Sequence, residues 1–289
     1  MDSNKNLDHK ILNERPISQQ PAIDLLVSLG YEYLTPKEAE KQRERLSTVI
    51  LKNDLLEFLK KQKFKYKNEE FNFSNNNIKK AICDIDVSLE QGLMSASKKI
   101  YDLLLYGKSY QETLFDGTTQ SFDLKFIDWQ NIDDNIFRVT DEFSVEKYDK
   151  THRRPDIVIT VNGIPLVVIE CKKSAITVDE GIKQLVQNCK PNEIPQLFKF
   201  VQLEISTNTN DFLYGTCATA KEYFTQWKEK DDSWLNYLLN VHIKNRIPTT
   251  QDRNIISLLE KNRLFEIIKM FTLYDNNVKK SQDTNSFSV

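Results

Sequence analysis

The chain has no excess of positive charge. Its 40 Lys and Arg are outnumbered by 42 Asp and Glu, a formal charge of −2 over 289 residues. Non-specific nucleic-acid affinity rests chiefly on phosphate contacts, so this balance argues against an autonomous DNA binder and leaves DNA contact to local basic patches or to a partner. Cysteines are few. Cys83, Cys171, Cys189 and Cys217 are far apart in sequence and form no C-x-x-C pair, which points to reduced thiols in a cytoplasm and argues against a zinc site. The histidines, His9, His152 and His242, are isolated, and His152 reads as an exposed loop residue. No apolar run approaches the ~20 residues of a membrane span, and the first residues, MDSNKNLDHK, are polar where a signal peptide would be apolar. Tyr106-Gly107-Lys108-Ser109 has Asp102 where a phosphate-binding loop needs a further glycine, so nothing here suggests an ATP site. There is no internal repeat.

What is present is a globular composition, 39% hydrophobic and 28% charged, with enough chain for one large core or two modest ones. The chain is organised around residues 153–172, RRPDIVITVNGIPLVVIECK. The β-branched runs Ile157–Val161 and Ile164–Ile169, separated by Asn162-Gly163, predict a hairpin. Asp156, Glu170 and Lys172 interrupt its apolar character. Charge inside a strand is costly unless the charges act together. Two carboxylates and a lysine where a sheet opens suit a Mg²⁺-dependent phosphodiester hydrolase, with the carboxylates as oxygen ligands and the ammonium beside the attacking water.

The spacing makes a geometric demand. Side chains alternate along a strand, so Glu170 and Lys172 share a face and Cys171 takes the other. A two-residue Asn162-Gly163 turn pairs Asp156 with Ile169, on the wrong face. Joint action therefore predicts an irregularity. It is either a three-residue loop with Gly163 at positive φ, pairing Asp156 with Val168, or a bulge between Pro155 and Val158.

Arg154-Pro155-Asp156, thirteen residues, then Glu170-Cys171-Lys172 matches the PD-(D/E)xK nuclease signature. The longer string, with Leu103–Gly107, Leu124–Asp128, Asn135–Phe137 and Phe143 as lead-in strands, resembles the nuclease domain of the restriction (motor) subunit of type I restriction-modification enzymes. The resemblance implies an α/β fold, a mixed sheet flanked by helices around a restriction-endonuclease-like core. It implies Mg²⁺ held by Asp156, Glu170 and the carbonyl of Cys171, with Lys172 orienting or deprotonating water. A Gln-x-x-x-Tyr motif of the family maps onto Gln184, although position 188 is Asn188. An early-helix glutamate of the family has no counterpart: Gln19 and Gln20 stand there, with Asp24 one turn on. Double-stranded DNA is the implied substrate, and modification and specificity subunits the implied partners. Full-length subunits of this kind carry a helicase-like ATP motor after the nuclease domain. The chain ends before one, and reads as a fragment or a truncated gene product. A free-standing repair or resolvase-like nuclease of the same fold, or a catalytically silent docking module, are the alternatives.

Elsewhere the pattern predicts a mobile tail (1–16), a helical N-terminal portion (17–107), the nuclease core (108–235), and C-terminal helices with the start of a linker (236–289). Expected helices are Ile17–Gly30 with Ser18 as N-cap, Thr35 to about Arg45 opened by a capping box, Val49–Leu59, Ile78–Leu89, Leu93–Tyr106, Val178–Cys189, Trp234–Val241 and Asn254–Leu273. Ser121–Trp129 and Phe137–Glu146 are expected to join the hairpin in a run of four strands. Phe200–Ser206 and Phe212–Cys217 are expected to complete the sheet. Asn68–Asn77 reads as a polar loop. Between Lys41 and Lys67, nine Lys or Arg against three Asp or Glu form either a DNA-facing patch or, the preferred reading, a solvated basic face.

Overall fold

The computed structural model describes residues 18–272 and Tyr274; the expected tail at 1–16 and the closing SQDTNSFSV lie outside them. Helix α1 (Gln20–Ser28) leads into β1 (Glu32–Leu34) and the short α2 (Pro36–Lys41). Helix α3 (Lys52–Lys61) precedes a hairpin of β2 (Lys63–Tyr66) and β3 (Glu69–Asn72). Helices α4 (Asn75–Asp84) and α5 (Leu93–Tyr106) precede a second hairpin, β4 (Lys108–Thr113) and β5 (Thr119–Leu124). Strand β6 (Phe137–Asp141) and the two-residue strands β7 (Val145–Glu146) and β8 (His152–Arg153) come before the central pair, β9 (Ile157–Val161) and β10 (Ile164–Cys171). Helices α6 (Val178–Asn188) and α7 (Pro195–Phe198), strands β11 (Leu203–Thr207) and β12 (Phe212–Gly215), and helices α8 (Asp232–His242), α9 (Thr250–Leu259) and α10 (Lys261–Glu266) complete the described chain.

Six strands form one mixed sheet in the order β1-β6-β9-β10-β11-β12. The β1–β6 and β10–β11 pairs are parallel, and the other neighbours antiparallel. Every residue of β9 and β10 is buried, as expected for near-continuous Val/Ile strands covered by helices on both faces. Residues from Ala22 in α1 to Ile268 share one apolar cluster with the sheet. The mixed α/β class, with helices flanking a mixed sheet, is as the sequence predicts and is compatible with a restriction-endonuclease-like fold. Among the described residues, no helix is long and apolar enough to cross a membrane.

Several elements differ from expectation. The first helix begins at Gln20, not Ile17, and Gln19 holds its N-cap position. The Ser18 hydroxyl, expected to cap, is buried and accepts a hydrogen bond from the Gln251 amide instead. The Thr35 capping box forms, but α2 stops at Lys41, short of Arg45. Ser121–Trp129 gives only β5, ending at Leu124, and pairs with β4 outside the central sheet. Leu103–Gly107 is the end of α5 and its cap, not a strand. The fourth strand on that side is β1, whose three residues pair with β6. The polar stretch 68–77 contains β3 and the first turn of α4. The long C-terminal helix breaks at Glu260 into α9 and α10, followed by a π turn at Ile267–Phe271. In the basic stretch, Lys52, Lys61, Lys63, Lys65 and Lys67 pair with Glu44, Glu57, Glu70, Glu70 and Asp116.

Candidate active site

The central hairpin closes through the two-residue turn, with Val161 opposite Ile164 and both turn residues at positive φ, 51° at Asn162 and 76° at Gly163. This is the primed geometry that Asn-Gly favours. The tip is not solvent-exposed. Asn162 is fully buried, its side chain bonded to Ile136 N, Phe126 O and Asn135 Oδ1, and the Gly163 carbonyl accepts from Leu51 N. A Cβ on Gly163 would lie 2.2 Å from Leu51 O.

The predicted irregularity exists, but not at either predicted place. The register shifts on β10, between Pro165 and Val167, so that Leu166 is the extra residue. A proline in a strand offers no N–H to the ladder, which gives a physical reason for the slip at this point and a sequence signal that could have located it. Beyond the bulge Val168 faces Val158 and Ile169 faces Ile157. Continued by one residue, the register sets Asp156 across from Glu170 directly, one step from the predicted diagonal.

The four side chains singled out by the sequence meet. Lys172 Nζ lies 3.5 Å from Glu170 Oε2, 3.9 Å from Asp156 Oδ2 and 3.3 Å from Gln184 Oε1. Asp156 Oδ2 also accepts the backbone N–H of Cys171 at 2.7 Å. The face assignment holds: the Cβ of Glu170 faces Gly181 of α6, whereas the Cys171 thiol meets Ser18 on the opposite side. Gly181 is what lets α6 lie so close. A Cβ there would stand 2.2 Å from Ser206 Oγ and 3.3 Å from the Glu170 Cβ. The Ser206 hydroxyl donates to the Val178 carbonyl at 2.6 Å, fixing the first turn of the helix to the sheet.

Burial dominates the electrostatics. Glu170 has no exposed surface, and its Oε1 has no hydrogen-bond partner among the described residues. Burial, and then the charge of Asp156, push its carboxyl well above the ordinary range. Burial likewise raises Asp156 to about 6, against the pull of Lys172 and the Cys171 N–H. A buried and a half-buried carboxylate beside one ammonium are together short of positive charge. The orphaned oxygen, the two hard oxygen donors and that charge deficit fit a divalent cation.

The early helix reaches the site without an acid. The Gln19 amide donates to the Asp156 carbonyl at 2.9 Å, while Gln20 and Asp24 bond each other on the surface. The sequence reading missed Glu142, a further carboxylate whose charge raises Asp156 and which pairs with Arg154 at 3.3 Å. Glu142 adopts φ 48° just past β6, and nothing in its sequence context marks it.

The profile of the family described as type I restriction enzyme R protein N terminus matches residues 11–223. The chain belongs to that family. Among relatives of this R-protein N-terminal chain, a protein of Methanocaldococcus jannaschii named as a type I restriction enzyme endonuclease subunit is 29% identical over 281 residues, covering 91% of this chain and 26% of its own length. A second M. jannaschii protein of similar name is 32% identical over 153 residues, 52% of this chain and 13% of its own. A type I restriction enzyme endonuclease subunit of Staphylococcus saprophyticus is 32% identical over 118 residues, 40% of this chain and 12% of its own. The chain thus spans about a quarter or less of the length of these relatives.

Proposed function

We propose that this chain is the Mg²⁺-dependent endonuclease domain of a type I restriction R subunit. It would cut unmodified double-stranded DNA in the cytoplasm, within a complex that contains modification and specificity subunits. The observation that carries the reading is the convergence of Asp156, Glu170, Lys172 and Gln184 at a strand end where two carboxylates share one ammonium. Asp156, Glu170 and the Cys171 carbonyl would hold the cation. A divalent ion there supplies positive charge to the scissile phosphate and to the water that attacks it.

The remaining work falls to side chains of this chain. Lys172 Nζ would orient the attacking water as a donor, and would take a proton from it only after releasing its own proton to solvent. The Gln184 amide oxygen and Glu170 restrain the ammonium, so that its position is fixed before substrate arrives. The Cys171 N–H holds Asp156 Oδ2. Gln19 fixes the backbone at Asp156 from the other face of the sheet. The DNA sequence itself would be read by the specificity subunit, in keeping with the weak net charge of this chain.

Lys172→Arg tests the assignment in the assembled restriction complex, with supercoiled DNA carrying unmodified sites. Arginine keeps the charge but changes the shape and cannot give up its proton. Cleavage should fall by about 10²–10⁴-fold, the range for loss of a general acid or base, while DNA binding is kept. Wild-type cleavage by this variant would remove Lys172 from the chemistry.

A further inference from the structure

A second reactive cluster lies at the far end of α6. Cys189 Sγ, a carboxylate oxygen of Glu204 and Cys217 Sγ all stand within 4.8 Å of one another. The wide sequence spacing of the cysteines argued against a zinc site, yet two of them meet in the fold. Separation along the chain says nothing about distance across a sheet. Cys189 caps the end of α6, Glu204 lies on β11, and Cys217 follows β12 by two residues. Glu204 is fully buried and Cys217 nearly so.

A separate observation points to a ligand here. The Cys189 thiol donates to Glu204 Oε1 at 3.3 Å, but Glu204 Oε2, equally buried, has no hydrogen-bond partner among the described residues. A carboxylate left half-satisfied at zero exposure is unfavourable. Two sulfurs beside it change which partner would relieve it.

We propose that Cys189, Glu204 and Cys217 bind a thiophilic divalent cation, zinc by preference, at a structural site separate from Asp156 and Glu170. Zinc takes cysteine sulfur at about 2.3 Å and carboxylate oxygen at about 2.0–2.2 Å in a tetrahedral shell, so its ligand atoms stand roughly 3.4–3.8 Å apart. The spread of the cluster accommodates that shell after small side-chain shifts. The fourth position is left to water or a backbone carbonyl. The Ala218 N–H, which interacts with both Cys189 and Glu204, would orient the ligands. Softness separates the two sites: Mg²⁺ prefers the all-oxygen pair at one end of α6, and zinc the thiolates at the other. An ion here would tie the end of the helix that carries Gln184 to β11 and to the segment after β12.

The test is a Co²⁺ titration of the whole chain, reduced and stripped of metal by chelator, in excess Mg²⁺ to occupy the oxygen site. One equivalent should produce sulfur-to-cobalt charge-transfer absorption that Zn²⁺ abolishes. In the same unmutated chain, Zn²⁺ should protect Cys189 and Cys217, but not Cys83, from alkylation mapped by mass spectrometry. Cys189→Ser or Cys217→Ser should weaken binding by at least about 100-fold, as loss of a directly held ligand should exceed the 10–100-fold effects of outer partners. Glu204→Gln should weaken binding while keeping the charge-transfer band. No charge-transfer band at millimolar Co²⁺, a band that survives in the Cys189→Ser/Cys217→Ser double variant, or a Cys189–Cys217 disulfide with no metal uptake after reduction would each overturn the proposal.

Discussion

Two glutamates lie on neighbouring strands beneath one helix, and neither exposes any surface: Glu170 on β10 and Glu204 on β11. Glu204 is in register with Val168 and Ser206 with Glu170, so both acids point to the α6 face of the sheet. Burial raises both carboxyls well above the ordinary range. Their company differs. Glu170 has an ammonium beside it, which also contacts a second carboxylate and the Gln184 amide oxygen. Glu204 has a thiol hydrogen bond and a second sulfur close by. The same backbone solution, an acid held under a helix, therefore gathers oxygen donors near the start of α6 and sulfur atoms at its end. What a buried acid can do is decided by its second neighbour, not by its burial.

The comparison breaks most sharply at Asp156. Asp156→Ala removes one of the two oxygen donors without touching the thiols. Cleavage by the assembled complex should fall by at least about 10³-fold, within the range for loss of a catalytic acid or base, while cobalt uptake at Cys189 and Cys217 is unchanged. Cleavage near the wild-type rate in that variant would dissolve the oxygen site as a functional unit.

A smaller effect should follow from lifting the helix at one end. Gly181→Val places branched bulk where even a Cβ would lie 2.2 Å from Ser206 Oγ. Displacement of Gln184 and the Lys172 ammonium by about 1 Å is worth roughly 10²-fold in rate. The variant should lose cleavage by about that factor and still bind cobalt. Equal loss of both properties would show that α6 moves as one rigid body.

The smallest predicted effect is on stability and has opposite signs in the two conditions that matter. A carboxyl raised in the folded state holds its proton to higher pH than in the unfolded chain. Its contribution to stability is complete below the unfolded value near 4 and is lost as pH rises through the folded value. In metal-free protein, Glu170→Gln should thus stabilise the fold at neutral pH, on the order of 1 kcal/mol or more, and the gain should vanish toward pH 4. Saturating Mg²⁺ should stabilise the wild type and not the variant. Thermal melts at both pH values, with and without Mg²⁺, check the sign. Destabilisation by Glu170→Gln in metal-free protein at neutral pH would mean that Lys172 already compensates the charge.

Much of the central region was legible because burial writes itself into residue type. The β-branched runs gave β9 and β10, Thr177 and the acids after it gave α6, and Asp156, Glu170 and Lys172 stood out as charges among Val and Ile. The peripheral strands carried no such mark. Glu32–Leu34 is too short to show a period, and Lys108–Thr113 is polar because it sits in a surface hairpin. The site was legible where it lay on the hairpin and illegible where it came from afar. Gln19, Glu142 and Gly181 act through contacts that the sheet order creates. Glu204 is the instructive omission. It breaks the apolar run Phe200–Ser206 as Glu170 breaks its own, and the rule that singled out one acid applies equally to the other.

The buried turn at Asn162-Gly163 carries a consequence for chain length. Its two residues are enclosed by Phe126, Asn135 and Leu51, and the bulge at Leu166 already takes up the one residue of slack between the turn and the candidate site. An added or deleted residue anywhere from Ile157 to Ile169 would put Asp156 and Glu170 on opposite sides of the sheet. The turn at Asp116-Gly117 is different: nothing lies within 4 Å of a Cβ on Gly117, and exposed tips of this kind accept extra residues. Length is therefore a fixed quantity in the central hairpin and a free one in the outer hairpin. A reading frame for this domain can grow at its periphery while the thirteen residues between its two acids stay countable.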